Sequence, residues 1–332
     1  MNIKNKVRKI SIILSVFNGG EYLKLAIESI LNQTHPNFDF IIVDNASTDI
    51  TPLILEKYRL KDSRIKIITL PKTLSYVEGR NHGINKCDTD WFALMDADDI
   101  SKPNRIKKQI EFLNNSSIEN LGAIGTWGEY INSKGKVLGI MKAGPTSLKQ
   151  FDFLYSKNEP ILLIDPSSLI NKKAFLETGG YRKDTFPPCD LDFWYRLSEK
   201  DYKVIAIPEI LFQYRVHLQS NSVAKSMLQR KMTHFVNYNM RLRRGGKKEL
   251  SKDEYENVMW SNYFYRFPKV YKDISATYYK KAGLNYGENN FIKFICYSII
   301  ALLINPKYFM VKFRRQNLIK TFSKELRIFW KI

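Results

Sequence analysis

The sequence predicts an α/β chain: a mostly parallel central sheet with helices on both faces, followed by a basic helical C-terminal region. Three observations carry this. In the first half, short β-branched runs alternate with stretches whose apolar residues recur at helical spacing, the pattern of a parallel sheet covered by helices. Polar and acidic residues recur just after those runs, at strand ends where open α/β sheets bind ligands. Residues 225–332 hold 23 Lys and Arg against 7 Asp and Glu, whereas residues 1–224 hold 30 against 26. Most of the formal charge of +20 therefore lies in the last third of the 332 residues. Two regions are expected, 1–222 and 223–332.

Residues 10–16 (Ile-Ser-Ile-Ile-Leu-Ser-Val) form a buried strand by length and β-branching. Asn18-Gly19-Gly20 is a turn, after which Tyr22, Leu23, Ala26, Ile27, Ile30 and Leu31 repeat at helical spacing. A second strand covers 38–43 and runs into the polar segment Asp44-Asn45-Ala46-Ser47-Thr48-Asp49. A helix over 52–60, a strand over 64–69 and a helix over 76–86 lead to the strand 91–95. A helix at 105–114 follows Pro103. Residues 161–163 and 168–170 read as further short strands. Pro187-Pro188-Cys189-Asp190 introduces a helix running to about Lys200. Beyond about Ser222 the chain is helical, aromatic and basic, with a break at Gly245-Gly246.

An apolar fraction of 44% and a charged fraction of 26% suit a globular protein. Cys87, Cys189 and Cys296 are far apart and make neither a metal-ligand spacing nor a disulfide framework, so a reducing cytoplasm is expected. The apolar run 10–17 is too short for a signal-peptide core.

Met95-Asp96-Ala97-Asp98-Asp99 follows the apolar run Trp91-Phe92-Ala93-Leu94. Three carboxylates at the mouth of a buried strand repel one another unless a cation sits among them. A hard divalent ion with oxygen ligands, Mg2+ or Mn2+, is the usual remedy, and such ions keep open positions for phosphate oxygens. A solvated Asp-rich turn is the alternative. Ser15/Phe17 and Asp44/Asn45 occupy equivalent strand ends, so all three pairs should meet in one crevice. Asp99 has no assigned role beyond capping the turn into Pro103. In the helix after Pro188, Asp190 shares a face with Trp194, whereas Asp192 points outward and is placed to pair with Arg196 at i,i+4. Simple helix capping is the alternative for Asp190.

Residues 291–304 are the most hydrophobic stretch, but 14 residues fall short of the roughly 20 that span a bilayer. Asn305-Pro306 ends the run, and Lys307, Lys312, Arg314 and Arg315 follow. An apolar helix flanked by cations suits the interface of an anionic membrane; a core helix is the other reading.

In order, residues 11–18, Ser29-Ile30-Leu31-Asn32-Gln33-Thr34, residues 43–49, Gly79-Arg80-Asn81-His82-Gly83-Ile84 and Asp96-Ala97-Asp98-Asp99 resemble the family 2 glycosyltransferases, whose fold is the Rossmann-like GT-A type. The resemblance continues through Gly179-Gly180-Tyr181-Arg182 and residues 189–197. It is to bacterial enzymes that build capsule, lipopolysaccharide and other cell-surface glycans. It implies an inverting, hexosyltransferase-like enzyme that moves a sugar from a nucleotide-diphosphate donor to an acceptor hydroxyl. Asp98 matches the metal-binding Asp of the family's Asp-x-Asp motif, and Asp96 matches its first Asp, on the nucleoside side. Arg80 matches a basic residue near the nucleotide. Ser15 and Phe17 match positions lining the base pocket, and Asp190 matches the general base. His217 matches a segment where some relatives place a His near the metal or diphosphate.

Two departures bear on this. The family often has two acids where this chain has Asp44-Asn45; the Asn45 amide oxygen can still accept from a pyrimidine N3–H, so a UDP- or dTDP-sugar is expected. The Glu of the family's Glu-Asp pair is Cys189 here, which leaves Asp190 as the base, with Asp192 the fallback. The expected partners are the nucleotide sugar, a glycan or lipid-linked acceptor and an anionic membrane surface, at the inner face of the cytoplasmic membrane, with no nucleic acid. A sugar nucleotidyltransferase would want a basic phosphate loop after the first strand, where this chain has Phe17-Asn18-Gly19-Gly20-Glu21. A nucleic-acid-binding protein would account for the basic tail, not for carboxylates gathered at strand ends.

Overall fold

The computed structural model describes residues 8–217, 224–260 and 263–315. They group into two compact units, one drawn from Met1–Arg215 and Val236–Lys248, the other from Val216–Phe235 and Glu249–Ile332.

The first unit is built on a nine-stranded sheet in the order β3-β2-β1-β4-β8-β6-β9-β5, with β7 beside β6. Strands β1 (Ile10–Val16), β2 (Phe38–Asp44), β3 (Ile65–Thr69) and β4 (Trp91–Met95) are mutually parallel, as the strand–helix alternation implied. The other half is mixed. Strand β8 (Leu169–Asn171) runs antiparallel between β4 and β6 (Leu121–Ile131), and β9 (Lys203–Arg215) pairs parallel with β6. β5 (Ile100–Ser101) and β7 (Val137–Met141) are antiparallel edge additions. Residues 161–163 are not a strand: they run as irregular chain, although Ile161 and Leu163 are buried in the core.

Helices α1 (Tyr22–Leu31), α2 (Thr51–Arg59), α3 (Tyr76–Asn85), α4 (Arg105–Asn115), α5 (Leu148–Ser156), α6 (Lys172–Thr178) and α7 (Cys189–Glu199) complete the unit's first stretch. α1 buries Leu23, Ala26, Ile27 and Ile30, an i, i+3, i+4, i+7 stripe. α3 opens on a capping box in which Ser75 Oγ accepts from Glu78 N and Glu78 accepts from Ser75 N. Its glycines let it lie close to the sheet: a Cβ on Gly83 would come within 2.8 Å of Val43 and 2.9 Å of Ile13.

α8 (Ser226–Arg244) begins in the second unit and ends, within the first, at the expected Gly245-Gly246 break. α9 (Lys252–Trp260), α10 (Tyr263–Gly287), α11 (Phe291–Ile304) and α12 (Pro306–Arg315) make up most of the second unit's other described residues. α11 packs on α10 through Phe294 against Tyr286 at 5.2 Å between ring centroids, and through Ser275 Oγ, which donates to Ala301 O at 2.8 Å. Among the described residues, no helix is long and apolar enough to cross a membrane.

Candidate active site

Register aligns the strand ends. Val16 lies opposite Asp44, and Leu14 opposite Met95, so the residues following β1, β2 and β4 emerge along one edge of the sheet. Ser15 is half-buried under α3, where a Cβ on Gly79 would stand 3.0 Å from its Oγ. Phe17 is 50% exposed. The loops behind these strands are cross-tied: Asn18 N donates to Ser47 Oγ at 3.0 Å, and Thr48 N donates to Asn18 Oδ1 at 2.9 Å. Asp44 is buried and accepts from Ser47 N at 3.0 Å. Asn45 holds the chain after β3, donating to Leu74 O and accepting from Leu74 N, both at 2.8 Å.

Beyond β4, one oxygen from each of Asp96, Asp98 and Asp99 lies within 4.8 Å of the others. Arg215 secures this turn: its N donates to Asp99 Oδ1 and its Nε to the Asp98 carbonyl, each at 2.7 Å. Asp99 is therefore more than a cap on the turn into Pro103. Its Oδ2 is buried with no hydrogen-bond partner. Burial, and then the neighbouring Asp98 and Asp96 charges, push its carboxyl well above the usual range. Burial also lifts Asp96 to about 6, with Arg80 opposing and Asp98 assisting. An all-oxygen donor set with mutual repulsion and an orphaned buried oxygen fits a hard divalent cation.

Arg80 lies on α3 beside Asp96. It is buried, and its two terminal nitrogens bond Asp96 and Asp165, with the rings of Tyr76 and Tyr181 at 4.7 and 5.8 Å. Its charge is matched inside the protein by two carboxylates, which fits the cost of burying a lone guanidinium. Asp165 also accepts from Tyr181 Oη at 2.7 Å. The sequence reading gave Asp165, Tyr76 and Tyr181 no role of their own; Asp165 precedes a proline and looks like an ordinary turn residue.

Asp190 occupies the first turn of α7 and is half-buried. Burial, then the charge of Asp165, pushes it up to about 7, while Arg80 pulls the other way. Asp192 pairs with Arg196 at 2.8 Å as expected, but it does not point outward. It is fully buried because Arg182 closes over it at 2.5 Å, so both its oxygens are taken, and of the two acids in the first turn of α7 Asp190 is the one with access to solvent. His217 lies two residues past β9 and belongs to the second unit.

A family model described as glycosyl transferase family 2 matches residues 11–175. An uncharacterized glycosyltransferase of Methanocaldococcus jannaschii is 30% identical over 77% of this chain and 85% of its own. The O-antigen biosynthesis glycosyltransferase WbnJ of Escherichia coli is 32% identical over 66% of this chain and 83% of its own. Among solved structures, the mannosyltransferase PcManGT of Pyrobaculum calidifontis, in complex with GDP-Man and Mn2+, superposes with a TM-score of 0.56 at 12% identity, covering 90% of this chain and 87% of that one. Residues 1–349 of S. aureus TarS in complex with UDP-GlcNAc give 0.51 at 13% identity over 89% and 91%. At such identities these two likenesses speak for the fold, which is the GT-A type.

Proposed function

The chain belongs to glycosyl transferase family 2, and on that premise we propose that it is an inverting, metal-dependent enzyme that moves a sugar from a UDP- or dTDP-sugar to an acceptor hydroxyl in cell-surface glycan synthesis. The observation that carries the reading is the cluster Asp96, Asp98 and Asp99, whose carboxylates crowd together with one buried oxygen unpartnered. The O-antigen and UDP-GlcNAc associations of the similar proteins support the glycan and the donor class, and the GDP-Man and Mn2+ of PcManGT support the metal.

Asp98 would be the principal metal ligand, flanked by Asp96 and Asp99. Mn2+ or Mg2+, when bound, supplies positive charge against the departing diphosphate. Asp96, held by Arg80 and Tyr76, faces the nucleoside. Ser15 and Phe17 line the base pocket, the exposed Phe17 ring being suited to stacking. Asp44 and Asn45 read the base, Asn45 through the lone pair that Leu74 leaves on its amide oxygen. Asp190 accepts the acceptor's hydroxyl proton as that oxygen forms its bond to the anomeric carbon. The bond from the anomeric carbon to the phosphate oxygen breaks, its electron pair leaves with the nucleoside diphosphate, and the configuration inverts. A group titrating near 7 is matched to this task at neutral pH. The acceptor is a glycan or a lipid-linked glycan at the inner face of the cytoplasmic membrane.

Incubation with UDP-, dTDP- and GDP-sugars and Mn2+ tests the reading. Slow donor hydrolysis, abolished by chelator and by Asp98→Ala, is expected. If no nucleotide sugar is bound or turned over, with or without metal, the assignment fails.

A further inference from the structure

α11 presents an outer face made entirely of apolar residues. Phe291, Ile292, Ile295, Ile299, Leu302 and Leu303 are all exposed, Ile292 at 78% and Leu303 at 76%. At 100° per residue they fall within one continuous arc, and the exposed Cys296 lies on its edge. The opposite face, with Phe294 and Ala301, is the one that packs on α10. The next helix adds exposed Met310 and Val311. A contiguous apolar surface of this kind marks an interaction site.

Charge identifies the occupant. Among the described residues from Asn289 to Phe313 the chain has three lysines, Lys293, Lys307 and Lys312, and no Asp or Glu. A second copy meeting this face would bring like charges together around it, which opposes symmetric pairing. An anionic lipid surface satisfies both features, hydrocarbon for the face and phosphate for the cations. Insertion as a span does not fit, because 14 residues make a helix of about 21 Å against a hydrocarbon core of about 30 Å.

We infer that the outer face of α11, continued by Met310 and Val311 and flanked by Lys293, Lys307 and Lys312, beds into the headgroup layer of an anionic membrane with the helix lying in its plane. This gives residues to the membrane placement proposed above, and it is independent of the catalytic assignment.

The full chain is mixed with vesicles of phosphatidylcholine, with and without phosphatidylglycerol, and binding is read by co-sedimentation. Binding is expected only to the anionic vesicles. Ile295→Asp combined with Ile299→Asp lowers that affinity at least tenfold, with melting temperature and donor hydrolysis unchanged. Lys307→Glu with Lys312→Glu lowers it as well and leaves the apolar face intact. An environment-sensitive dye on Cys296, which is exposed while Cys87 and Cys189 are buried, shifts to the blue on binding. Unchanged vesicle binding by the double Asp variant overturns the inference. So does a wild-type dimer that this variant abolishes, because a second copy would then cover the face. Loss of donor hydrolysis with vesicle binding intact would strike at the catalytic reading alone.

Discussion

Arg80 and Asp165 form an ion pair inside the protein, and the second arm of the same guanidinium holds Asp96. The pair reaches the other functional pole as well: Asp165 is the strongest charge raising Asp190, and Arg80 opposes it. Acids on the metal side and the proposed base therefore share one electrostatic unit.

Asp165→Asn separates these effects. It removes the charge that raises Asp190, so the acid limb of the transfer pH profile moves to lower pH. It also leaves the buried Arg80 with one carboxylate instead of two, costing about 3 kcal/mol. Urea unfolding reads the second effect and a kcat/KM profile the first. A destabilised variant whose acid limb has not moved would make Asp165 a structural residue only.

Asp190 itself sets a pH dependence with two opposite faces. Its carboxyl titrates at about 7 in the folded chain against 3.8 unfolded. As a base it must be ionised, so transfer rises with pH through about 7. Folding has the reverse sign. Below pH 4 both states carry the proton; between about 4 and 7 the folded state binds it more tightly, so stability falls as pH rises, and above 7 the loss is complete. Asp190→Asn keeps donor binding, loses transfer, and unfolds with a flatter pH dependence. Parallel pH–stability curves for the two proteins would rule out the raised carboxyl.

The parallel half of the sheet was legible because each strand there is a β-branched run followed by a helical stripe, and register alone then aligns Ser15, Asp44 and Asp96. The mixed half was not. β6 contains Gly122, Gly125 and Gly128, which read as turn signals; they are there because the sheet's neighbours press in, a Cβ on Gly125 meeting Leu163 at 2.6 Å and one on Gly128 meeting Phe212 O at 2.9 Å. Leu163 is buried against Gly125 without being in a strand. At the site, the i,i+4 pairing of Asp192 with Arg196 is a local pattern and was readable. Its burial depends on Arg182, and the role of Asp165 depends on Arg80, 85 positions earlier, so no spacing announces either.

Asp98→Asn should move metal-free and metal-bound stability in opposite directions. It removes a like charge that raises both Asp96 and Asp99, so the metal-free protein gains stability at neutral pH. The same change deletes the principal proposed ligand. In wild type, Mn2+ at a hundred times its Kd stabilises the fold by about 2.7 kcal/mol by mass action; the variant should show almost no such gain. Thermal melts with Mn2+ and with chelator measure both. An unchanged Mn2+ shift would remove Asp98 from the metal site.

Gly83→Ala tests whether the close approach of α3 places Arg80. Helix propensity favours the change by about 1 kcal/mol. Against it, the new Cβ stands 2.8 Å from Val43 Cγ2 and 2.9 Å from Ile13 Cγ2. Both neighbours are β-branched residues in the central strands β2 and β1, so neither can turn aside cheaply. Overpacking of this kind costs about 1–3 kcal/mol, and the net effect is destabilising. The helix relieves the clash by rising from the sheet, and Arg80 is one turn earlier on it, so its bonds to Asp96 and Asp165 loosen. Donor KM should therefore rise by more than the loss in stability explains. Gly139→Ala, where an added Cβ meets nothing within 4 Å, is the control and should change stability by less than about 0.5 kcal/mol. Equal urea midpoints and equal donor KM for Gly83→Ala and wild type would show that α3 does not set the position of Arg80.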